Sequence, residues 1–390
     1  MHEKITVLLL LVLTTALFVE SVKPVSASAV TDNSWASKAP MNLARANLGV
    51  AVVNGKIYAI GGDTSTIMGN VCPGTGRSYQ LVGTNEEYDP NLDSWTTKTS
   101  MPTARALFGI TTYQNKIYCI GGYYTNYHSE IDNIKYFDTS VNEVYDPSTD
   151  SWNNKAPMPS NISSLQANTV GDMIYVIAVG SNITYIYNPA SDSWALGNFS
   201  PYEVSGSASA VIGSKIYTIG KSANSTVIQA YDTTQDKWSI ISTSNTAVEA
   251  GNGCGVTSGF FAPQQICFFD QTVNSTNGSV NQLTDIYATT HIYNPLNGSW
   301  SVGASMPSNR ICAGVALVND TFYIIGGREG TWGYITMEYA SALIEQYTPI
   351  GYGTAPTLTA VQEKQPVQST HYYCNIYRLN CNSKHCLNLF

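Results

Sequence analysis

Charge is scarce in this chain. Asp, Glu, Lys and Arg together make up 12% of 390 residues, about half the usual share. They sum to a net −8, with no run of Lys or Arg anywhere. Nucleic acids and anionic membrane surfaces recruit clustered basic residues, so neither is expected as a partner. Metal-binding spacing is missing too. No Cys-x-x-Cys occurs, and His128 and His291 are the sole histidines outside the two ends of the chain, so no metal is expected. No Ser-His-Asp set, Gly-rich phosphate loop or paired-carboxylate motif can be recognised. Accordingly no catalytic residue and no cofactor is assigned. Long helical periodicity is also absent.

Long apolar runs are nearly absent. The one present, Ile5 to Val19, follows Lys4 and leads through a polar stretch to Ser26-Ala27-Ser28-Ala29. That order of charge, apolar stretch and small residues is the pattern of a signal peptide. The run is shorter than the roughly 20 residues that span a bilayer. Residues 1–29 are therefore expected to be removed, with cleavage after Ala29 or, as second choice, Ala27. The mature chain would be extracellular or at the cell surface, periplasmic in a Gram-negative bacterium. No later segment is apolar enough for a transmembrane anchor.

What the chain has in quantity is tyrosine, 26 residues, within a hydrophobic fraction of 43%. Much of it belongs to an internal repeat. The first copy runs Met41-Asn-Leu-Ala-Arg45, Lys56-Ile-Tyr-Ala-Ile-Gly-Gly62, Asn85-Glu-Glu-Tyr-Asp-Pro90 and Asp93-Ser-Trp95. The second nearly duplicates it: Met101-Pro-Thr-Ala-Arg105, Lys116-Ile-Tyr-Cys-Ile-Gly-Gly122, Asn142-Glu-Val-Tyr-Asp-Pro147 and Asp150-Ser-Trp152. Weaker copies end at Trp194, Trp238 and Trp300, and a sixth gives Phe322-Tyr-Ile-Ile-Gly-Gly327 and Glu345-Gln-Tyr-Thr-Pro349 without a closing Trp. An unattached Asn33-Ser-Trp35 precedes the first copy. A closed ring accounts for both, with Ser34 to Lys38 as the outer strand of the last unit and no free edge between first and last.

Each copy supplies four short segments rich in β-branched and aromatic residues, which read as strands. Asp-Pro followed by Asp-Ser-Trp is turn chemistry, and Gly61-Gly62 marks a sharp backbone turn or a close approach. The expected fold is all-β: a six-bladed β-propeller, residues 30–352, closed by the N-terminal strand. Residues 353–390 read as a linker and a Cys-containing tail.

These motifs closely resemble the kelch repeat over about residues 33–352, with copies three to five departing from it. The Gly pair is absent after Ile177 and half lost at Gly220. The resemblance implies a binding module recognising a protein or glycan ligand at the channel mouth or on the long loops, 63–84, 123–141, 270–289 and 328–342. The residue before the inner strand is Arg45, Arg105 and Arg310 in copies one, two and six, against Ile162, Val204 and about Cys254 in the others. In kelch domains that recruit acidic peptides, arginines at this position hold ligand carboxylates. The resemblance thus implies Arg45, Arg105 and Arg310 as ligand-binding residues, and an acidic ligand as one option. The alternative is that each Arg bonds within its own blade.

Two enzyme groups use kelch propellers, copper-radical galactose oxidases and sialic acid mutarotases. Two histidines in loops or at a third strand make a poor copper site. A mutarotase-like sugar epimerase stands as the second reading, with Glu249, Glu329 or Glu338 as a base beside the arginines. Among eight cysteines, Cys254 and Cys267, on adjoining strands of copy five, are the first disulfide to test. Sequons stand at Asn161, Asn182, Asn198, Asn224, Asn274, Asn277, Asn297 and Asn319. A monomer is expected.

Overall fold

The computed structural model describes residues 31–67, 77–126, 135–222, 225–244, 253–273, 286–329, 339–354 and 369–370. The segment read as a signal peptide, His128, Glu249, Glu338 and cysteines 72, 374, 381 and 386 lie outside them.

The described residues form strands and turns without a helix. None of them builds a helix long and apolar enough to cross a membrane. Among the described residues, five four-strand meanders follow one another along the chain, and a five-stranded sheet comes after them. Sheet one is Gly49–Val53, Lys56–Ile60, Asn85–Asp89 and Ser94–Lys98. Sheet two repeats it with Gly109–Tyr113, Lys116–Ile120, Asn142–Asp146 and Ser151–Lys155. Sheets three, four and five begin at Leu165–Val170, Ser205–Ile212 and Cys254–Val256. Sheet six takes Gly314–Val318, Thr321–Ile325 and Ile344–Thr348 from the end of the chain. Its outer strand is Ser34–Lys38, antiparallel to Ile344–Thr348 with Trp35 opposite Tyr347. The first strand of each sheet lies beside the first strand of the next, and that of sheet six beside that of sheet one.

The core lies between sheets, because each sheet has an apolar face on both sides. Val50, Val52 and Ile57 of sheet one pack on Tyr323 and Ile325 of sheet six, while Ala51, Tyr58 and Ile60 pack on Ile110 and Tyr145 of sheet two. Alternating residues of one strand therefore serve two different interfaces. The Gly pair exists for the same reason. A Cβ on Gly61 would lie 2.8 Å from the Arg105 carbonyl oxygen of the next sheet, and φ is +62° at Gly61 and +93° at Gly62.

The Tyr…Asp-Ser-Trp motif forms the seam between sheets. Asp93 Oδ1 accepts hydrogen bonds from Tyr88 (2.5 Å) and from the amide of Ala39 (2.8 Å) at the end of sheet six. Trp95 Nε1 donates to the Ala39 carbonyl at 3.0 Å and its ring lies 5.1 Å from Tyr88. Asp150 and Trp152 grip Thr99 in the same way, Asp192 and Trp194 grip Ala156, and Asp236 and Trp238 grip Asn198. In sheet five the aspartate's place is taken by Gly298, with φ +71°, and Trp300 is 38% exposed.

The expected Cys254–Cys267 disulfide does not form; both thiols are buried and free. Cys254 pairs with Phe268 and Cys267 with Gly255, a stagger of one residue that sends the two side chains to opposite faces. Cys119 is free as well, and Cys312 is disulfide-bonded.

Candidate binding face

The residues before the inner strands and those after the Gly pairs meet at one end of the sheets. In sheets one and two, Ala46 bridges Asp63 and Ala106 bridges Tyr123. From these roots rise short hairpins, Asp63–Ile67 with Arg77–Leu81 and Tyr123–Asn126 with Lys135–Asp138. In sheet six Arg310–Ile311, Arg328–Glu329 and Tyr339–Ala340 form the corresponding ribbon. The long loops of three consecutive units thus begin as added β-structure on one face.

Arg45, Arg105 and Arg310 occupy equivalent places at the foot of this face, but with their guanidiniums turned into the protein. Each is 0% exposed. Arg45 pairs with Glu86 at 2.6 Å and donates to the carbonyls of Gly61 (3.0 Å) and Thr84 (2.9 Å). Arg105 pairs with Glu143 and donates to the Cys119 carbonyl at 2.8 Å. Arg310 pairs with Glu345 at 2.8 Å and donates to Gly326 (2.6 Å) and Leu343 (2.8 Å). Burial lowers the guanidinium pKa of Arg45 and Arg310, opposed by the adjacent carboxylates. The expected cluster facing an external carboxylate gives way to three pairs, each enclosed in its own sheet. The physical reason is that a guanidinium with five donors best fits a place where several strand-end carbonyls converge.

The partners were legible in the repeat. Glu86, Glu143 and Glu345 hold one position, three residues ahead of Asp89, Asp146 and Thr348. Where Arg is replaced by Ile162 or Val204, that position is Tyr185 or Gln229. Arginine and glutamate come and go together.

A fourth buried pair escaped sequence reasoning. Arg328 contacts Asp63 at 2.5 Å, joining sheets six and one across 265 residues, with both side chains at most 2% exposed. Asn47 Nδ2 donates to the other oxygen of Asp63 at 2.7 Å. Burial raises the Asp63 pKa, against the pull of Arg328. Both residues follow a Gly pair, which is the one sequence signal that groups them. Around them the backbone makes a belt: Asn47 donates to the Cys312 carbonyl, Leu107 to Asn47 and Ser164 to Leu107. All four have φ between +52° and +66°.

The hairpin of sheet two is aromatic. Tyr124 lies opposite Phe137 with ring centroids 5.7 Å apart, and Tyr123 packs edge-on against Tyr136 at 5.4 Å. Phe137 is 41% and Tyr339, in the sheet-six ribbon, 50% exposed. Glu329 accepts a hydrogen bond from Ser341. His291 is held half-buried, with its pKa lowered by desolvation. Among the described residues no three His, Cys, Asp or Glu converge as a metal site. At the opposite end of the strands a polar recess of about 430 Å³ between sheets two and three is lined by Tyr113, Lys116, Tyr118, Asp146 and Asn154. There Lys116 and Asp146 bond each other.

The kelch motif model matches residues 44–102, 104–159 and 204–245. Mouse Kelch-like protein 15 is 31% identical over 152 residues, 38% of this chain and 22% of that protein. Beta-scruin of Limulus polyphemus is 28% identical over 144 residues, 36% and 14% of the two chains. Kelch-like protein terF of Aspergillus terreus is 30% identical over 131 residues, 33% and 28%. The chain thus spans under a third of the length of these relatives. The solved structure of YjhT superposes with a TM-score of 0.58 at 15% identity, covering 78% of this chain and 95% of that one. The recurrent motifs, the four-stranded sheets they build and these relatives agree that the chain carries kelch repeats.

Proposed function

We propose that this protein is an exported kelch-repeat interaction module, a six-bladed propeller closed by its N-terminal strand, which binds a protein partner on the hairpin face of blades six, one and two. The observation that carries the reading is the exposed aromatic surface of Phe137 and Tyr339, with half-buried Tyr124 packed on Phe137, above an ion-paired base. Rigid aromatics anchor interfaces at low entropic cost. Arg45, Arg105 and Arg310 serve this face from beneath, by fixing the carbonyls where the hairpins start. Export is supported by the signal-like segment at residues 1–29 and by the disulfide at Cys312, a bond at home in oxidising compartments. Closure of the ring is supported by the pairing of Ser34–Lys38 with Ile344–Thr348. A sugar epimerase needs a carboxylate free to act beside an accessible arginine; Glu329 lies half-buried opposite Arg310 and is bonded to Ser341, while the Arg310 guanidinium is enclosed with Glu345, so the binding reading is favoured.

The test is binding by the wild type and by Tyr124→Ala/Phe137→Ala/Tyr339→Ala on arrays of extracellular protein domains and of glycans. Protein ligands lost in the variant support the reading. Ligands retained by the variant, or glycans alone, overturn it. Export is checked by mass spectrometry of the purified protein: a terminus near Val30 outside the cytoplasmic membrane is expected, and an intact Met1 on cytosolic protein refutes it.

A further inference from the structure

Among the described residues the six inner strands each end their sheet: nothing in their own sheet pairs with the edge that faces the axis, except in sheet six. There Ser369–Thr370, far along the tail, lies antiparallel to the inner strand, Thr370 opposite Val315 and Ser369 opposite Ala316. The same two residues also approach the inner strands of the other five sheets, Gly49–Val53, Gly109–Tyr113, Leu165–Val170, Ser205–Ile212 and Cys254–Val256. A dipeptide can be near six edges at once only on the axis they surround.

We propose that the central channel is a binding site for an extended peptide, taken up by strand addition to the inner edge of sheet six, and that the chain's own Ser369–Thr370 segment occupies it. The chemistry is that of any exposed edge: a row of N–H and C=O groups accepts one more strand, giving affinity through the backbone. The inner strands carry small residues, as in Gly314-Val-Ala316, Ser205-Gly-Ser-Ala-Ser209 and Cys254-Gly255, and all six lie close to the Ser369–Thr370 backbone. The site therefore selects an extended segment of small or β-branched residues, such as Ser-Thr. Because the occupant is tethered, it competes at high effective concentration and closes the channel to a peptide added in trans. The proposal rests on the six-bladed reading above.

The test uses the full chain. In Ser369→Pro/Thr370→Pro both backbone donors of the segment are removed. Hydrogen exchange at Val315 and Ala316 is followed, together with binding of a labelled synthetic peptide, residues 364–373 (KQPVQSTHYY). The expected result is faster exchange at whichever of these two neighbouring amides faces the tail, the other being turned toward Thr321–Ile325, and peptide binding about tenfold or more tighter to the variant, whose channel is open, than to the wild type. The same peptide carrying the two prolines should bind neither protein. Unchanged exchange at Val315 and Ala316 overturns the proposal, as does equal or absent peptide binding to the two proteins. Protection within Gly109–Tyr113 shows that the variant has folded. A different result, free exchange along Ser34–Lys38 in the wild type, would sink the closed ring itself.

Discussion

Asn33 accepts the hydroxyl of Tyr347 at 2.9 Å across 314 residues of chain, and its same oxygen accepts the amide of Ala304 at 2.6 Å. Trp35, two residues on, donates Nε1 to the Ala304 carbonyl at 2.9 Å and lies 4.9 Å from the Tyr347 ring. This is the seam that Asp93 and Trp95 make with Tyr88 and Ala39, rebuilt from opposite ends of the chain. An amide stands where four of the other seams have a carboxylate, Asp93, Asp150, Asp192 and Asp236.

The seam should therefore tolerate Asn33→Asp, which restores the aspartate of the other copies. Asn33→Ala leaves the buried Tyr347 hydroxyl and the Ala304 amide to find new partners, costing about 1–3 kcal/mol. Trp35→Ala should cost about 3 kcal/mol, the low end for a large aromatic because its side chain is half-buried. Urea denaturation of the three variants checks the ranking. Equal stability of wild type and Asn33→Ala would show that the N-terminal strand contributes nothing to sheet six in solution.

Acid should loosen the seams first. Hydrogen bonds from Tyr88 and Tyr145 hold Asp93 and Asp150 below the ordinary carboxylate value, and Lys116 with Ser148 brings Asp146 down to about 2. A depressed folded pKa contributes stability that is present above the unfolded value and lost as pH falls through the folded one. Urea midpoints should thus be level above about pH 4 and drop steeply toward pH 2. In Asp93→Asn/Asp150→Asn the drop should be shallower and the neutral-pH midpoint lower.

The three free thiols among the described residues should be silent in the native protein. Cys119, Cys254 and Cys267 are each 0% exposed, and burial pushes every one of their pKa values upward. Thiolate is the reactive form. Alkylation with iodoacetamide followed by peptide mapping should leave these positions unmodified at pH 8 and modify them fully in guanidinium chloride. Rapid native labelling of Cys254 would mean that the seam between sheets four and five, where Gly298 replaces the aspartate, opens readily.

How far the fold was legible depends on whether a feature repeats. Tyr, Asp and Trp recur in register, so the copies can be read as four-stranded sheets, five of which are seen as such, and the stray Asn33-Ser-Trp35 could be matched to the copy lacking its Trp. The direction in which a side chain points does not repeat as a letter. Arg45 reads alike whether it faces a channel or its own Glu86. The one-residue stagger between Cys254 and Cys267 is likewise invisible until Gly255 and Phe268 are seen to be their partners. Asp63 and Arg328 share only the preceding Gly pair as a signal, and they meet across 265 residues of chain. Ser369–Thr370 lies in a stretch whose composition reads as linker, and its place follows from six sheet edges that no local pattern describes.

The buried pairs give the sharpest test of that distinction between supporting and binding residues. Removing one partner of an enclosed ion pair leaves the other charge buried and unpaired, a loss of about 3–5 kcal/mol. Arg45→Met should show it, since Glu86 is 1% exposed and the carbonyls of Gly61 and Thr84 lose their donors as well. Arg45→Met/Glu86→Leu removes both charges and should regain much of that loss, so the double variant is more stable than the single. A residue whose main work is to hold a ligand behaves otherwise: its removal leaves the fold alone, and the second substitution repairs nothing. Thermal and urea melts of the wild type, the two single variants and the double variant, set in a cycle, measure the coupling directly. A coupling near zero would mean that Arg45 and Glu86 are not paired in solution, and would return Arg45 to the surface as a residue free to meet a partner.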